Sequence, residues 1–366
     1  MKILWFTWKD AKNPSAGGAE AVNEELAKRL VRAGHEVTFV VAGFTGAAAE
    51  EARDGFQIFR VGGRWSVYWR ARQLYRGKLT GWADLVIDEI NTVPFFCKLY
   101  VREKNLLFVH QLARDIWFYE LFLPLAVIGY ILEPFYLSLL SDRRVVTISE
   151  STKRDLMRYG FKSEAISVIP QGTDLPPVVD LAEAKKPARP TMLVFGSVRP
   201  MKRTLHALRA FEIAKKDVPL LSLVVAGPLS GPYGKGLLGA IRQSPFAADI
   251  RYLGTVAEAD KAAVLGAAHV LCVTSVKEGW GLVVTEAARR GTPAVVYDVD
   301  GLRDSVRHGD TGLVISANPE ALAAGVVNLL KDEATYGRLR TSAWEWSKVF
   351  DFDRSAEEFL KVINGL

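Results

Sequence analysis

Two hydrophobic patterns recur in turn along the first half of the chain. Short runs rich in Val, Ile and Leu are followed by longer segments whose apolar residues return every three or four positions. The first pattern predicts buried strands and the second predicts amphipathic helices, so their alternation indicates a doubly wound parallel sheet. The predicted strands are residues 2–7, 36–42, 57–61, 84–88, 106–110, 145–148 and 166–170, and the predicted helices are 19–32 and 150–159.

The same alternation starts again after a proline-rich segment without periodicity, residues 173–190, which is typical of a domain linker. We predict a first domain over residues 1–172 and a second over 191–346. A C-terminal helix at about 347–366 is expected to pack back onto the first domain. In the second domain the predicted strands are 192–195, 220–226, 250–253, 269–275, 294–297 and 313–315, and the helices are 204–215, 235–243, 258–267, 281–290, 319–331 and 333–346.

One apolar and aromatic stretch, residues 116–140, interrupts this rhythm. Glu120 and Glu133 divide it, and Pro124 and Pro134 are expected to break it. Its uncharged part is therefore shorter than the about 18 residues that a membrane-spanning helix needs. We expect a buried or interfacial pair of helices here and no transmembrane helix.

The formal net charge of +6 and the pI near 9.1 favour an anionic partner. Part of this charge lies in residues 60–82, where arginines and Lys78 are interleaved with Trp and Tyr. This pattern suits an anionic membrane surface. It equally suits a helix that buries its aromatic rings and leaves its arginines in solvent. No nucleic-acid-binding module accompanies the pattern, so we expect no nucleic-acid partner.

Both cysteines, Cys97 and Cys272, lie in apolar runs, which is typical of a protein kept in a reducing compartment. The chain begins directly with a predicted strand and without the pattern of a cleavable leader. We therefore expect a cytoplasmic protein, and the basic, aromatic span adds the expectation of a peripheral position on the inner face of the membrane.

The most informative stretch is residues 269–296, which predicts a strand, a glycine-bearing loop, a helix and a second strand. In open α/β sheets such a loop lies at the ligand-binding edge, and a helix N-terminus there favours an anion. Glu278 lies in the loop and Glu286 in the second turn of the helix. The backbone of residues 279–282 thus predicts a phosphate cradle and the carboxylates predict contacts with hydroxyl groups. The alternative is that both carboxylates are solvated surface groups.

Three motifs, in this order, resemble the retaining glycosyltransferases of family 4. They are AGGAE at residues 16–20, FGSVRPMKR at 195–203 and EGWGLVVTE at 278–286. The pair Gly17–Gly18 precedes a helix but is not the G-x-G-x-x-G pattern of dinucleotide folds. The resemblance covers essentially the whole chain. It implies the GT-B fold, in which two Rossmann-like domains face each other across a cleft.

The resemblance also implies a role for each matching residue. Arg199 and Lys202 would stabilise the departing diphosphate, with the backbone of Gly17 and Gly18 contributing from the other domain. Glu286 would bind the ribose, and Glu278 would bind hydroxyls of the donor sugar. The residues that would contact phosphate and sugar through their backbone are Gly279, Trp280, Gly281, Leu282 and Val283.

His110, at the end of a predicted strand, matches a cleft histidine near the sugar; its alternative is a strand-end histidine with a structural role. Glu20, Asp88 and Asn91 are assigned to the acceptor side. One departure from the family pattern is Ser197, where the family commonly has arginine. Either Arg199 or the neighbouring Arg203 is expected to supply the missing guanidinium.

The resemblance implies a retaining mechanism without a protein nucleophile, and no metal or other cofactor. The expected partners are a UDP- or GDP-linked hexose and a glycan or lipid-linked acceptor of cell-envelope or polysaccharide biosynthesis. Two alternatives stay open at the level of sequence. One is a GT-B epimerase acting on a sugar nucleotide, and the other is a non-catalytic, membrane-associated protein that binds nucleotide sugars.

Overall fold

The computed structural model describes all 366 residues, which form two compact units. The first unit comprises residues 1–117, 123–172 and 351–366, and the second comprises 118–122 and 173–350.

The first unit is built on an eight-stranded sheet with the strand order β3-β4-β2-β1-β5-β6-β7-β8. The strands are β1 (Lys2–Phe6), β2 (Glu36–Val41), β3 (Glu50–Arg53), β4 (Phe56–Arg60), β5 (Leu85–Ile90), β6 (Lys104–Val109), β7 (Val145–Thr147) and β8 (Ile166–Val168). Central β1 pairs in parallel with β2 on one side and with β5 on the other. The direction of winding therefore changes between β1 and β5, where open sheets of this kind bind their ligands.

The expectation of a purely parallel first sheet is wrong at one edge. Strand β3 was not predicted, and it pairs antiparallel with β4. Asp54 and Gly55 connect the two strands with φ of 50° and 86°. Two successive residues with positive φ make the tight turn whose twist suits a hairpin, and Asp-Gly is a preferred sequence for it. This signal was present in the sequence.

Helices pack on the first sheet and close its core. They are α1 (Gly18–Arg32), α2 (Val67–Leu74), which a π-helical turn extends to Leu79, α4 (Leu123–Leu140), α5 (Glu150–Met157) and the C-terminal α13 (Phe352–Asn364). A short helix, α3 (Trp117–Glu120), precedes α4. Helix α13 belongs to this unit because Phe359 stacks on Trp5, with ring centroids 5.9 Å apart, and Arg29 pairs with Asp353.

The apolar stretch near residue 130 forms one helix, α4, so the expected break at Pro134 is wrong. Pro124 lies in the first turn, where a missing N–H costs nothing, and the helix also continues through Pro134. By length and composition α4 could cross a membrane, and only 28% of it is buried. Of the two alternatives for this stretch, the buried one is therefore wrong and the interfacial one stays a prediction. Its exposed apolar face consists of Leu123, Val127, Ile128, Ile131, Leu132, Phe135 and Leu139.

The second unit contains a six-stranded, fully parallel sheet with the order β11-β10-β9-β12-β13-β14. The strands are β9 (Thr191–Phe195), β10 (Ser222–Ala226), β11 (Ile250–Gly254), β12 (Val270–Val273), β13 (Ala294–Tyr297) and β14 (Gly312–Ile315). The helices are α6 (Thr204–Ala214), α7 (Gly231–Gln243), α8 (Glu258–Ala267), α9 (Leu282–Arg289), α10 (Leu302–Ser305), α11 (Pro319–Lys331) and α12 (Glu333–Ser347). Two apolar clusters, one with α6 and α11 and one with α8 and α9, cover the two faces of the sheet.

Residues 173–190, the expected linker, lie against the second unit. Trp344 Nε1 donates a hydrogen bond to the carbonyl of Val178, at 3.2 Å. Arg340 donates to the carbonyls of Leu181 and Ala184. This segment is therefore held by side chains of α12, in spite of its irregular sequence.

Candidate functional site

In the second unit, the winding changes direction between β9 and β12, so the loops that follow these strands lie at one edge of the sheet. Thr274 Oγ1, just after β12, donates to the carbonyls of Lys202 and Arg203, at 2.8 and 3.1 Å. The N–H of Val276 donates to the carbonyl of Met201 at 2.8 Å. These bonds hold together two of the motifs that the sequence singled out, FGSVRPMKR and EGWGLVVTE.

Lys202 and Glu278 form an ion pair across these two loops. Ser275 Oγ donates to the same carboxylate oxygen of Glu278 at 2.5 Å. Burial by itself would raise the pKa of Glu278, but the ammonium of Lys202, the Ser275 hydroxyl and the charge of Arg199 lower it. Glu278 is therefore an ionised carboxylate that can accept hydrogen bonds from hydroxyl groups.

The two candidate arginines have different surroundings. Arg199 Nη1 lies 3.3 Å from a carboxylate oxygen of Glu120, and its charge also acts on Glu278. Arg203 has a φ of 48° and donates to the hydroxyl of Tyr119 at 3.0 Å. The charge of Arg199 lowers the pKa of Glu278. This effect favours Arg199 as the substitute for the guanidinium missing at Ser197.

Helix α9 begins directly after Gly281, one residue later than predicted, and no side chain caps its N-terminus. Gly281 has a φ of 88°, which favours glycine, and a Cβ there would lie 2.9 Å from Leu302 Cδ2. The first N–H groups of α9 are thus left without side-chain partners next to Glu278. An anion fits such a helix end.

Glu286 lies on α9 and is buried, at 8% exposure. Lys261 of α8 donates to its carboxylate at 2.5 Å. Burial raises the pKa of Glu286 in spite of the nearby ammonium. Burial would lower the pKa of Lys261, but the carboxylates of Glu286 and Glu258 raise it overall. Glu286 is therefore not the solvated surface group of the alternative interpretation.

The other predicted backbone contacts differ in exposure. Gly279, Leu282 and Val283 are half-buried beside Glu278. Trp280 is buried and packs edge-on against Phe350, with ring centroids 5.1 Å apart. The indole of Trp280 therefore anchors the loop, and only its backbone can contribute to binding.

In the first unit, Gly17 and Gly18 begin α1 at the carboxyl edge of the sheet. The N–H of Gly17 donates to the carboxylate of Glu20 at 2.7 Å, and Lys9 lies 3.5 Å from the same side chain. Asn91, which follows β5, donates to Glu20 at a long 3.4 Å. Glu20 and Asn91 thus lie together, and Glu20 orders the glycine turn.

Asp88 does not join them. It is buried, and its two carboxylate oxygens accept the N–H groups of Phe95 and Cys97, both at 2.8 Å. Successive residues of a strand face opposite sides of the sheet, so Asp88 points away from the side that Glu89 occupies. Asp88 holds the loop after β5, and its assignment to the acceptor side stays a prediction.

His110 follows β6 and is part of a buried polar network. Asn23 Nδ2 donates to Glu89 at 2.6 Å, so its Oδ1 faces His110 Nε2, at 3.2 Å. Nε2 must therefore carry the proton in this contact, which leaves Nδ1 as an acceptor. Burial lowers the pKa of His110 to about 4, so the imidazole is neutral at pH 7. Neutral His110 can accept a hydrogen bond from a hydroxyl at Nδ1, and at pH 7 it does not act as a general acid.

Sequence reasoning missed four residues that support these groups, namely Lys261, Ser275, Asn23 and Glu89. Only Glu89 had a visible signal, because two adjacent acidic residues in an apolar strand are unusual. The other three are paired by the tertiary fold. No three His, Cys, Asp or Glu side chains lie together as a metal site would require.

Sequence models of two known families match the two halves of the chain in turn. Residues 16–176 match Glycosyltransferase Family 4, and residues 181–346 match Glycosyl transferases group 1. Together the matches extend from residue 16 to residue 346, with only 177–180 between them. The chain belongs to the family 4 glycosyltransferases.

Curated relatives within these glycosyltransferases are similar over part of their length. The D-inositol 3-phosphate glycosyltransferase of Rhodococcus opacus is 30% identical over 237 residues, which cover 60% of this chain and 52% of the relative. The protein of the same name from Nocardiopsis dassonvillei is 29% identical over 237 residues, covering 61% and 55%. The chain thus spans about half the length of the curated relatives it matches.

Solved structures match the whole chain. Sucrose-phosphate synthase from Thermosynechococcus elongatus gives a TM-score of 0.79 at 19% identity, covering 100% of this chain and 98% of that one. WaaG, a glycosyltransferase involved in lipopolysaccharide biosynthesis, gives 0.78 at 15% identity, and Anabaena HepE in complex with UDP-glucose gives 0.75 at 18%, with full coverage of both chains in each case. At such identities the likeness shows the fold alone. The predicted GT-B fold is confirmed, with the antiparallel β3 as the departure from a parallel first sheet.

Proposed function

We propose that this protein is a retaining glycosyltransferase that moves a hexose from a UDP- or GDP-linked sugar to a glycan or lipid-linked acceptor. The observation that carries the proposal is the Lys202–Glu278 ion pair beside the uncapped N-terminus of α9. A cation, an ionised carboxylate and a helix N-terminus without a side-chain cap lie together here, and they match the groups of a sugar diphosphate. We also propose that the protein acts in cell-envelope or polysaccharide biosynthesis.

The leaving diphosphate is the group that this edge of the second unit fits best. Cleavage of the bond between the anomeric carbon and the phosphate oxygen places negative charge on that oxygen. The fold fixes three hydrogen-bond donors here, namely Lys202, Arg199 and the N-terminus of α9. Each preorganised donor of this kind stabilises the developing charge and can raise the rate of the reaction by about 10²–10³. Glu278 keeps Lys202 in place and accepts hydrogen bonds from the sugar hydroxyls.

Glu286 is suited to the ribose of the nucleotide. Its carboxylate has one oxygen bonded to Lys261 and retains capacity to accept hydrogen bonds from two neighbouring hydroxyls. A nucleotide sugar as the ligand is also supported by the likeness in fold to Anabaena HepE, which was solved with UDP-glucose.

The transfer step that we propose uses no protein nucleophile and no metal. The acceptor hydroxyl attacks the anomeric carbon from the face that the phosphate leaves, and its proton passes to the departing phosphate oxygen. One bond to the anomeric carbon forms as the other breaks, and its configuration is retained. In the first unit, Nδ1 of neutral His110 is proposed to accept a hydrogen bond from a sugar hydroxyl, while Gly17 and Gly18 stay predicted donor contacts.

A lipid-linked acceptor would require the first unit to approach a membrane, and α4 supports this. Its exposed apolar residues include Phe135 at 70% and Leu123 at 68% exposure, on a helix of a protein with a net positive charge. Trp65 and Trp69 of the basic aromatic span are exposed too, whereas Tyr75 is buried. We therefore propose a peripheral position on an anionic membrane, with α4 as the inserting element.

A panel of UDP- and GDP-hexoses tests the proposal. The cognate donor at 100 times its Kd should stabilise the protein by about 2.7 kcal/mol, and added acceptor should release nucleoside diphosphate. The anomeric coupling in the product's NMR spectrum reports retention or inversion. Hydrolysis without transfer, or isomerisation of the donor, would favour the epimerase alternative, and stabilisation without turnover would favour the binding protein.

A further inference from the structure

A surface groove of about 790 Å³ lies in the second unit, between the segment 177–187 and helix α8. Helix α8 contributes only small, uncharged residues to its wall, at positions 262, 263, 266 and 267, and α9 contributes Arg290 just beyond its end. None of the groups assigned above to donor binding or transfer lines this groove.

Lys186 and Arg290 line the inner wall of the groove, and a third basic side chain, Arg340, lies close enough for its charge to act on Lys186. Lys186 Nζ donates to the carbonyl of Gly266 at 2.8 Å and to Thr292 Oγ1 at 2.6 Å. Arg290 donates to the carbonyl of Pro176 at 3.1 Å, and Arg340 donates to the carbonyl of Gly291 at 3.1 Å. All of these acceptors are neutral, and none of the three cations makes an ion pair.

Such an arrangement is unfavourable without a counter-charge. Burial and the charges of Arg340 and Arg290 lower the pKa of Lys186 to about 7. In addition, Arg290 Nε is buried and has no hydrogen-bond partner, although a guanidinium N–H in such a place normally has one. Lys186 has a third N–H to offer, because its two bonds use only two of its three donors.

The carboxylates of the groove do not compensate this charge. Asp180 and Glu183 line it, but both are exposed and neither forms an ion pair. Lys185 adds a further exposed cation at the rim. The remaining titratable neighbour is His269, whose pKa is lowered to about 4 by burial and by Lys186, so it is neutral.

We propose that this groove binds an oxyanion, the phosphate group of a small phosphorylated metabolite, through the ammonium of Lys186 and the guanidinium of Arg290. The site is separate from the proposed donor site and does not depend on glycosyl transfer. The groove is larger than one inorganic ion, and Val178, Val179 and the alanines of α8 offer an apolar wall for the organic part of the ligand.

Trace acetylation of the intact protein, read lysine by lysine with mass spectrometry, tests the proposal. Only the neutral amine reacts, and a bound anion stabilises the charged form of Lys186. Sulfate is the first probe, because its charge is constant at neutral pH. At pH 7, sulfate should slow the labelling of Lys186 several-fold relative to sodium chloride at equal ionic strength, and it should leave Lys185 unchanged. The affinity for sulfate should fall by up to about tenfold for each pH unit above the pKa of Lys186.

The Arg290→Gln variant removes the unpartnered donor and should lose most of the sulfate effect, whereas Arg242→Gln, an exposed arginine of α7, should keep it. Arg290→Lys, which retains the charge but lacks Nε, serves as a second variant if Arg290→Gln does not fold. Glucose 6-phosphate should protect Lys186 at a lower concentration than inorganic phosphate if a metabolite is the ligand, and equal protection would identify free phosphate. Equal labelling of Lys186 in sulfate and in chloride would overturn the proposal. Full protection of Lys186 by sulfate in the folded Arg290 variants would overturn it as well.

Discussion

Lys261 of α8 and Glu286 of α9 lie 2.5 Å apart, with side-chain exposures of only 17% and 11%. The ion pair fixes the carboxylate in one orientation and joins the two helices that cover one face of the second sheet. Removing one partner of a buried ion pair lowers the free energy of unfolding strongly, because the other charge stays buried without a partner. Replacing both partners by neutral groups of similar shape lowers it much less.

We expect Lys261→Met to lower the free energy of unfolding by about 2 kcal/mol, because it leaves the Glu286 carboxylate buried and unpaired. The double variant Lys261→Met with Glu286→Gln should regain part of this loss. Urea unfolding of the wild type, of Lys261→Met, of Glu286→Gln and of the double variant measures the coupling energy between the two side chains. If the two single changes add up in the double variant, the ion pair does not contribute to stability.

Glu286→Gln alone should raise the KM for the nucleotide sugar by about tenfold and change kcat little, because the ribose contact forms before the reaction and persists through it. Gln keeps the size of the side chain and removes its charge. Steady-state kinetics with the cognate donor measures both constants. An unchanged KM would show that the ribose binds elsewhere.

Lys202→Ala should lower kcat by about 10²–10³, because its ammonium stabilises the charge that develops on the leaving phosphate. Lys235→Ala, at an exposed position of α7, is the matched control and should behave like the wild type. Arg199→Ala should also reduce kcat, and Arg203→Ala should reduce it less. The opposite order of the two arginines would assign the role of the missing guanidinium to Arg203.

Glu89→Gln should change how stability depends on pH. Burial, with the nearby charge of Glu20, raises the pKa of Glu89 to about 8 in the folded protein, against 4.5 for an exposed glutamate side chain. Between these values the unfolded chain releases a proton that the folded protein holds, so wild-type stability falls as pH rises, by up to about 1.4 kcal/mol per unit.

The Glu89→Gln variant lacks this group, and its stability relative to the wild type should therefore increase from pH 5 to pH 8. Urea unfolding at four pH values in this range measures the difference. A constant difference would mean that Glu89 is already ionised in the folded protein at pH 5.

Replacing Ile128 and Ile131 of α4 by Ser should abolish sedimentation with anionic liposomes, because these exposed side chains supply apolar area for insertion. Leu220 is an exposed leucine of the second unit, outside α4, so Leu220→Ser is the control and should sediment like the wild type. Replacing Arg70 and Arg76 by Ser should weaken binding mainly at low salt. If the wild-type protein ignores anionic liposomes at low salt, a soluble acceptor becomes the better proposal.

The periodicity of apolar residues was sufficient to predict most strands and helices, because their spacing follows directly from backbone geometry. The edge hairpin at Asp54–Gly55 was missed although its turn signal was present. The single helix α4 was divided wrongly, since the propensity of Pro134 to break a helix was outweighed by the surrounding structure.

The sequence also determined which loops carry chemistry, because the carboxyl ends of strands next to a change in winding meet at one edge, and motifs fell after β1, β9 and β12. Only the tertiary structure decided how those groups are paired. Lys261 reaches Glu286, Asn23 sets the tautomer of His110, and Asp88 turns away to hold its own loop. Such partners are distant in the chain, and the side that a strand residue faces depends on its register, so neither follows from spacing alone.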